Sequence, residues 1–382
     1  MSFSSRPARS AVRWVRHRQT AAGRDEVSAK YLAIAGSCRV LCAARAATPA
    51  ALDLLAEAGL PVPRQPALYS SDRSYEDQLR ELAASGTPVV CAQWHPPGIL
   101  PDRAWWIPPA LLAWLHNKAN LGALLPPECM PRRRVVPTGE LEQRAQSWTE
   151  YPCVLKGCTD LPTGSGMVVH IVRSPSDLAH ALADLGELSE IVVEEYLDFE
   201  YTVCLNYSVT ASGVRYLGFG EQILDGPAFL GSWVDSFRRV SHEARAVGQA
   251  AMEAARAKGY VGLAGIDVGF LPGGRPIGFD LNFRHCGSTT PIVLDPTLRQ
   301  AHPELGAIRT FSATTQGSVR SMIAVARDAM HAGTLLPLSV YAPSARRGGP
   351  RPAMTGLILG RDRDDADCKR TRLLDALAGP GR

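Results

Sequence analysis

The chain has no apolar run approaching the roughly 20 residues that cross a bilayer, and its start lacks an apolar stretch followed by a small-residue cleavage site. These absences exclude a membrane span and a secretory leader from the reading, so a cytoplasmic protein is expected. No C-x-x-C pair occurs: the nine cysteines, an odd number, are scattered, and Cys38 and Cys42 stand too far from suitable partners for zinc. Reduced, packed thiols are expected in place of a disulfide framework. Acids are missing from residues 1–24, which hold six arginines, so of the net charge of +4 the rest of the chain keeps −2. The basicity belongs to an arm. Arg132 to Arg134 is the one other tight basic run, and with no aromatic stacking array beside it, nucleic-acid binding is not expected. Internal repeats are also absent.

What the chain does have is length and apolar content: 382 residues, 46% of them hydrophobic, enough for two or three domains with a sizeable core. From Tyr31 to Val90 short apolar strands alternate with helical segments, one of them with Thr48 as N-cap and Gly59 as stop. This predicts an N-terminal α/β domain. Proline-rich stretches near Pro96 and Pro126 flank the helix-like segment LLAWLHNKANLGALL, residues 111–125, in which Asn117 and Lys118 open a second helical turn. Ser174-Pro-Ser-Asp opens a helix running to Gly186, and residues 241–258, rich in alanine, arginine and glutamate, form another. Past Pro303, a helix near residues 319–331, a strand near 354–359 and a helix around 369–377 predict a C-terminal α/β extension. Residues 1–26 read as a basic, flexible arm with a weak amphipathic helix around Trp14 and Val15.

Residues 265–287, GIDVGFLPGGRPIGFDLNFRHCG, carry the densest chemistry. Asp267 closes one strand, GGRP supplies a turn, and in the returning strand Asp280 and Asn282 share a face by period-two alternation. Two carboxylates and an amide oxygen suit magnesium, which takes hard oxygen ligands and keeps substrate phosphates in its shell. Upstream, YPCVLKGCTDLPTGSGMVVHIV places Lys156 at a strand end before a loop containing Gly164, Ser165 and Gly166, whose backbone N–H groups can turn towards phosphate oxygens. Next comes IVVEEYLDFEYTVCL, two apolar strands around an acidic hinge. Taken singly, each element is equally an ordinary hairpin, turn or solvated acid.

Taken in order, Lys118, Lys156, the glycine loop, the hinge, Asp267 and the Asp280-Leu-Asn282-Phe-Arg284 run resemble the ATP-grasp ligases over roughly residues 111–300. The resemblance implies an α/β (α+β) ATP-grasp fold with an N-terminal α/β pre-ATP-grasp domain, residues 27–110, an ATP-grasp core, 111–300, and an extension, 301–382. It implies ATP and Mg2+ as cofactors. Lys118 and Lys156 would bind phosphates under the Gly164–Gly166 loop. Glu194 would accept from the adenine amino group, the backbone of Glu195 and Leu197 would meet the ring edge, and Glu200 would bind the ribose. Asp267, Asp280 and Asn282 would hold the metal, and Arg284, with Lys156, would serve catalysis. In ligases of the D-alanine–D-alanine type an arginine shortly precedes the first metal acid, where this chain has Gly265, and glutamate is common where Asp280 stands. Arg284 is then the natural replacement.

The implied activity is an ATP-dependent carboxylate–amine ligase that makes an amide through an acyl phosphate. The overall arrangement is most similar to the ATP-grasp peptide ligases of bacterial peptide natural-product (antibiotic) biosynthesis. Small amino-acid or peptide substrates are the expected partners, with a homodimer as the candidate assembly and neither nucleic acid nor membrane. Residues 220–239 read as a long loop acting as a lid. There Glu221 and Asp225 would receive a cationic group, Trp233 would cover a side chain and Arg238 would meet a carboxylate, with His285 and Ser288 beside the acyl phosphate. Two rivals remain: an enzyme loading an amino acid onto a carrier protein, and a nucleotide sensor without catalysis. The joint presence of Asp267, Asp280, Asn282 and Arg284 disfavours the sensor, because adenine binding alone needs no phosphate-transfer set.

Overall fold

The computed structural model describes residues 1–7, 20–63, 65–96, 98–160, 168–344 and 349–379, and among these sixteen strands fall into three sheets. The first sheet holds β1 (Ser2–Ser4), β2 (Arg39–Ala43), β3 (Ala67–Tyr69) and β4 (Val89–Cys91), in the order β3-β2-β1-β4 and parallel throughout. Parallel strands need covered faces, and the helices Pro49–Glu57 and Asp72–Ala84 provide cover. The first of these begins as its sequence dictates, with Thr48 Oγ1 accepting from the Ala51 N–H at 3.3 Å, and stops before Gly59 at φ +74°.

The expected arm is corrected here. β1 lies between β2 and β4, and Arg6, almost fully buried, pairs with Asp25 at 3.3 Å and with Asp72 while stacking 4.6 Å from the Tyr75 ring. A three-residue strand of serines and one phenylalanine has no readable period, and its pairing partners lie 37 and 87 residues away in the sequence. Trp14 and Val15 lie outside the described residues.

β5 (Arg133–Pro137), β6 (Cys153–Gly157), β7 (Val169–Val172) and β8 (Glu190–Glu195) form a small antiparallel sheet, order β5-β8-β6-β7, backed by the helix Pro175–Leu185. The third sheet has eight antiparallel strands in the order β13-β12-β9-β10-β11-β14-β16-β15. They are β9 (Tyr201–Thr210), β10 (Gly213–Asp225), β11 (Ala228–Asp235), β12 (Gly262–Phe270), β13 (Pro276–Asn282), β14 (Ala307–Thr314), β15 (Leu335–Tyr341) and β16 (Ala353–Gly360). The helix His242–Ala257 presses onto β9 so closely that a Cβ at Gly248 would sit 2.2 Å from Tyr207 Oη.

The lid reading of residues 220–239 is also corrected: β10 and β11 form a hairpin turning at Gly226, with φ +54°. Asp225-Gly226 is itself a hairpin signal. The C-terminal extension contributes its expected helices, Val319–His331 and Arg363–Ala378, and β16, but β14, β15 and β16 continue the same large sheet. Their residues Ile308, Tyr341 and Leu357 share one core with Leu32 and Leu41 of the N-terminal domain. Among the described residues, no helix is long and apolar enough to cross a membrane.

Candidate active site

The expected hairpin forms, but Asp267 lies inside β12, which runs on to Phe270, and does not close it. β12 and β13 pair with Asp267 opposite Asp280, and Asn282 Nδ2 donates to Asp267 Oδ2 at 3.4 Å. Two facing acids repel. Burial first, then Asp280, pushes the Asp267 carboxyl up to about 6. Burial works against the charge of Asp280 as well, but Lys118, Lys156 and Arg284 outweigh it and hold that carboxyl below its ordinary value.

Lys118 reaches Asp280 because the expected continuous helix breaks. Pro109–His116 is helical, and the chain then re-enters as a 3-10 turn, Lys118–Ala123, whose first N–H groups are capped when Asn117 Oδ1 accepts from Ala119 at 3.1 Å. Asn117 Nδ2 also donates to Asp160 at 3.1 Å, tying this turn to the small sheet. From that sheet, Lys156 Nζ donates to the Phe279 carbonyl at 2.7 Å and pairs with Glu194 at 2.6 Å. Glu194 Oε1 lies 3.4 Å from Arg133 Nη1 without hydrogen-bond geometry, which leaves a buried acceptor open towards the cleft. Lys118, Lys156, Glu194 and Asp280 thus line one cleft between the small and large sheets, together with Phe279 and His116.

Sequence reasoning missed Arg133, His116 and Lys30. Arg133 fixes Glu194 and donates to the Lys118 carbonyl, and only the pairing of β5 with β8 puts it there. The His116 imidazole is held near 3 by burial, then by Arg284 and Lys118, so it stays neutral. Lys30, from the 3-10 turn Val27–Tyr31, crosses to the metal hairpin and donates to the His285 carbonyl at 3.0 Å. Burial, then Arg284, lowers its ammonium to about 8.

The other expected residues divide. Arg284 follows the hairpin, half-buried, and among the described residues its guanidinium has neither a hydrogen bond nor an ion pair. Glu195 turns its carboxylate to Arg132, and its N–H is taken by the Arg132 carbonyl at 3.0 Å. Only its own carbonyl remains for a ring edge. Leu197 is half-buried and Glu200 exposed, both on the hinge between β8 and β9. Gly164, Ser165 and Gly166 lie outside the described residues.

The substrate set does not converge. Glu221 is engaged by Arg363 and by Arg238 at 3.5 Å, Asp225 is exposed at the hairpin tip, and Trp233 is buried in the C-terminal core under Arg309 and Arg363. His285 is buried and neutral, with Nε2 2.7 Å from Thr290 Oγ1. Ser288 Oγ accepts from Asn206 Nδ2 at 2.9 Å. Both pin the loop that follows the hairpin. Gly265 explains the missing arginine: a Cβ there would lie 2.6 Å from Cys286 Sγ and 2.9 Å from Cys204 Sγ.

The residues fit a divalent cation. Among the described residues no cluster of three or more His, Cys, Asp or Glu is placed for a metal, so the hairpin offers two carboxylates and one amide oxygen. That is the sparse donor set magnesium uses when phosphates complete its shell. Two facing carboxylates, two lysines beside one of them and a buried acceptor oxygen without a hydrogen-bond partner are thus gathered from three parts of the fold at one place. The chain belongs to the ATP-grasp carboxylate–amine ligases, enzymes that form amide bonds with conversion of ATP to ADP. Within them, two family models carry one description: L-aspartate–L-methionine ligase, its ATP-grasp part over residues 131–282 and its N-terminal domain over residues 1–113.

Solved structures share the fold. N5-carboxyaminoimidazole ribonucleotide synthetase from Thermus thermophilus is 17% identical, with a TM-score of 0.58, 93% of this chain and 97% of that one being covered. The L-amino acid ligase from Bacillus licheniformis is 13% identical, with a TM-score of 0.54 over 88% of this chain and 96% of that one. Carboxyaminoimidazole ribonucleotide synthase from Aspergillus clavatus, solved with ATP, is 15% identical, with a TM-score of 0.55 over 82% and 88%.

Proposed function

We propose that this ligase joins L-aspartate to L-methionine, with magnesium–ATP held by the residues of the cleft. The observation that carries the nucleotide half is the convergence of Lys118, Lys156, Glu194 and Asp280 on one cleft from three separate parts of the fold, with Asp267 and Asn282 beside Asp280 on the hairpin. The substrate half rests on the two matched models, which carry the same description over both the N-terminal domain and the ATP-grasp part.

Asp267, Asp280 and Asn282 would hold magnesium, which when bound screens the phosphate charge. Lys118 and Lys156 add point charges to the phosphates, and the open oxygen of Glu194 accepts from the adenine amino group. The carbonyl of Glu195, with Leu197, faces the ring edge, and Glu200 faces the ribose. A carboxylate oxygen of the donor attacks the γ-phosphorus and ADP leaves. The amine nitrogen of the acceptor then attacks the acyl carbon, phosphate departs and the nitrogen gives up a proton. Arg284, which has no ion pair among the described residues, faces the charge that develops. The nine cysteines are unpaired, in keeping with a cytoplasmic setting.

The test is ADP release with aspartate and methionine, offered singly and together, followed by mass spectrometry. Sustained ADP formation is expected only with both, with a product at the summed mass less one water. Turnover with aspartate and a carrier protein in place of methionine would overturn the dipeptide reading.

A further inference from the structure

Two cations lie near each other beside the hairpin, and among the described residues neither forms an ion pair, although Arg284 is within electrostatic range of Asp280. Arg284 is half-buried beside the hairpin, and Lys30 reaches the same place from the N-terminal domain, where its Nζ is held 3.0 Å from the His285 carbonyl. Among the described residues, no carboxylate pairs with either. Bringing like charges together out of water is unfavourable, and a fold keeps such a pair where a ligand supplies the counter-charge. Lys30 is also within electrostatic range of the thiols of Cys204 and Cys286, the atoms that leave no room for a side chain at Gly265. Positive charge that cannot come from position 265 therefore arrives from the first domain.

The phosphates already have Lys118, Lys156 and the magnesium ligands. The anion left for Lys30 is on the amino-acid substrate. A donor that reacts through one carboxylate loses that charge into the acyl phosphate, whereas a second carboxylate keeps its charge throughout. One Lys30 N–H is spent on His285, and two remain to donate. We infer that Lys30 is the specificity residue of the donor pocket, binding the non-reacting carboxylate of a dicarboxylic amino acid, with Arg284 turned to the reacting one. The inference rests on the ligase reading above and adds the residue that selects the donor.

Steady-state kinetics of Lys30→Met and Lys30→Arg, with aspartate, glutamate, asparagine and alanine as donors, test it. Lys30→Met is expected to raise KM for the dicarboxylic donor at least tenfold, leave KM for ATP and methionine within twofold, and shrink the aspartate-to-asparagine ratio of kcat/KM by the same factor. Lys30→Arg, which keeps the charge, should recover part of that ratio. An unchanged ratio in Lys30→Met, or an equal rise for ATP and methionine, overturns the inference. A second measurement needs no variant: succinate should inhibit the wild-type enzyme against its donor at least tenfold better than butyrate, and equal inhibition overturns the inference as well. If the wild-type enzyme makes no aspartyl-methionine yet uses another dicarboxylic donor in a Lys30-dependent way, the substrate reading fails and the inference stands. If the dipeptide forms and Lys30→Met keeps its selectivity, the inference alone fails.

Discussion

Asp267 is placed where ionisation is costly, and the cost has two readouts of opposite sign. Its carboxyl is pushed up to about 6, by burial and then by Asp280, from an ordinary value of 3.8. A proton on Asp267 blocks a metal, so the magnesium concentration for half-maximal ADP formation should be flat above pH 6 and climb as pH falls below it. Titrations of magnesium at several pH values check this. For folding, the protonated acid is the favoured form, so stability from this group is present below pH 3.8 and lost as pH rises through about 6. Asp267→Asn should therefore melt higher than wild type at about pH 7.5, with little difference near pH 4, while turnover is abolished. A lower melting temperature at the higher pH would mean that Asp267 holds the hairpin together. Asp280 and Asn282 were legible as a pair because a two-residue period fixes which side chains share a face, and Asp267 because the hairpin turn sets its strand against theirs. Lys30 was not, since the 255 residues separating it from His285 leave no local pattern.

At the scale of elements, residues 220–239 show how a strand hides. Gly218, Gly220 and Gly231 interrupt the alternation of β10 and β11 because their neighbours come too close: a Cβ at Gly231 would meet Thr310 Oγ1 at 2.6 Å, and one at Gly220 would meet Ser288 Cβ at the same distance. Length and mixed chemistry then read as a lid, and only Asp225-Gly226 spoke for a turn. The consequence is specific to Trp233, which packs with Phe311 and Ile358 in the C-terminal core. Trp233→Ala should cost about 3–5 kcal/mol of stability and leave KM for donor and acceptor near wild type. Denaturant melts and kinetics on the folded fraction separate the two effects. A selective rise in one substrate's KM would restore the lid. The helices Pro49–Glu57 and His242–Ala257 were legible for the opposite reason, since Thr48 and Ser241 announce their first turns through local hydrogen bonds.

For the whole molecule, the first and last segments of the chain meet in a single core, so neither behaves as an appendage. β1 lies within the parallel sheet, and Leu41 and Tyr341 belong to one apolar cluster. Arg6 anchors that end through Asp25 and Asp72. Replacing Arg6 by alanine should lower global stability by about 2–3 kcal/mol, less than for a fully buried pair because Asp72 is partly solvated. A single cooperative melt shifted downward is expected, and loss of the N-terminal transition alone would show that the domains fold apart. The ion pair between Lys118 and Asp280 extends this economy to the reaction. In that pair the lysine neutralises the acid, as the proposed metal would. On the proposed function, the phosphates of magnesium–ATP would take over the lysine and the metal would take over the acid. Loading would then be a change of partners in which few mobile ions are displaced, and dissolved salt would weaken the old pairing along with the new one. Nucleotide affinity should accordingly respond to ionic strength far less steeply than the number of charges in the cleft suggests.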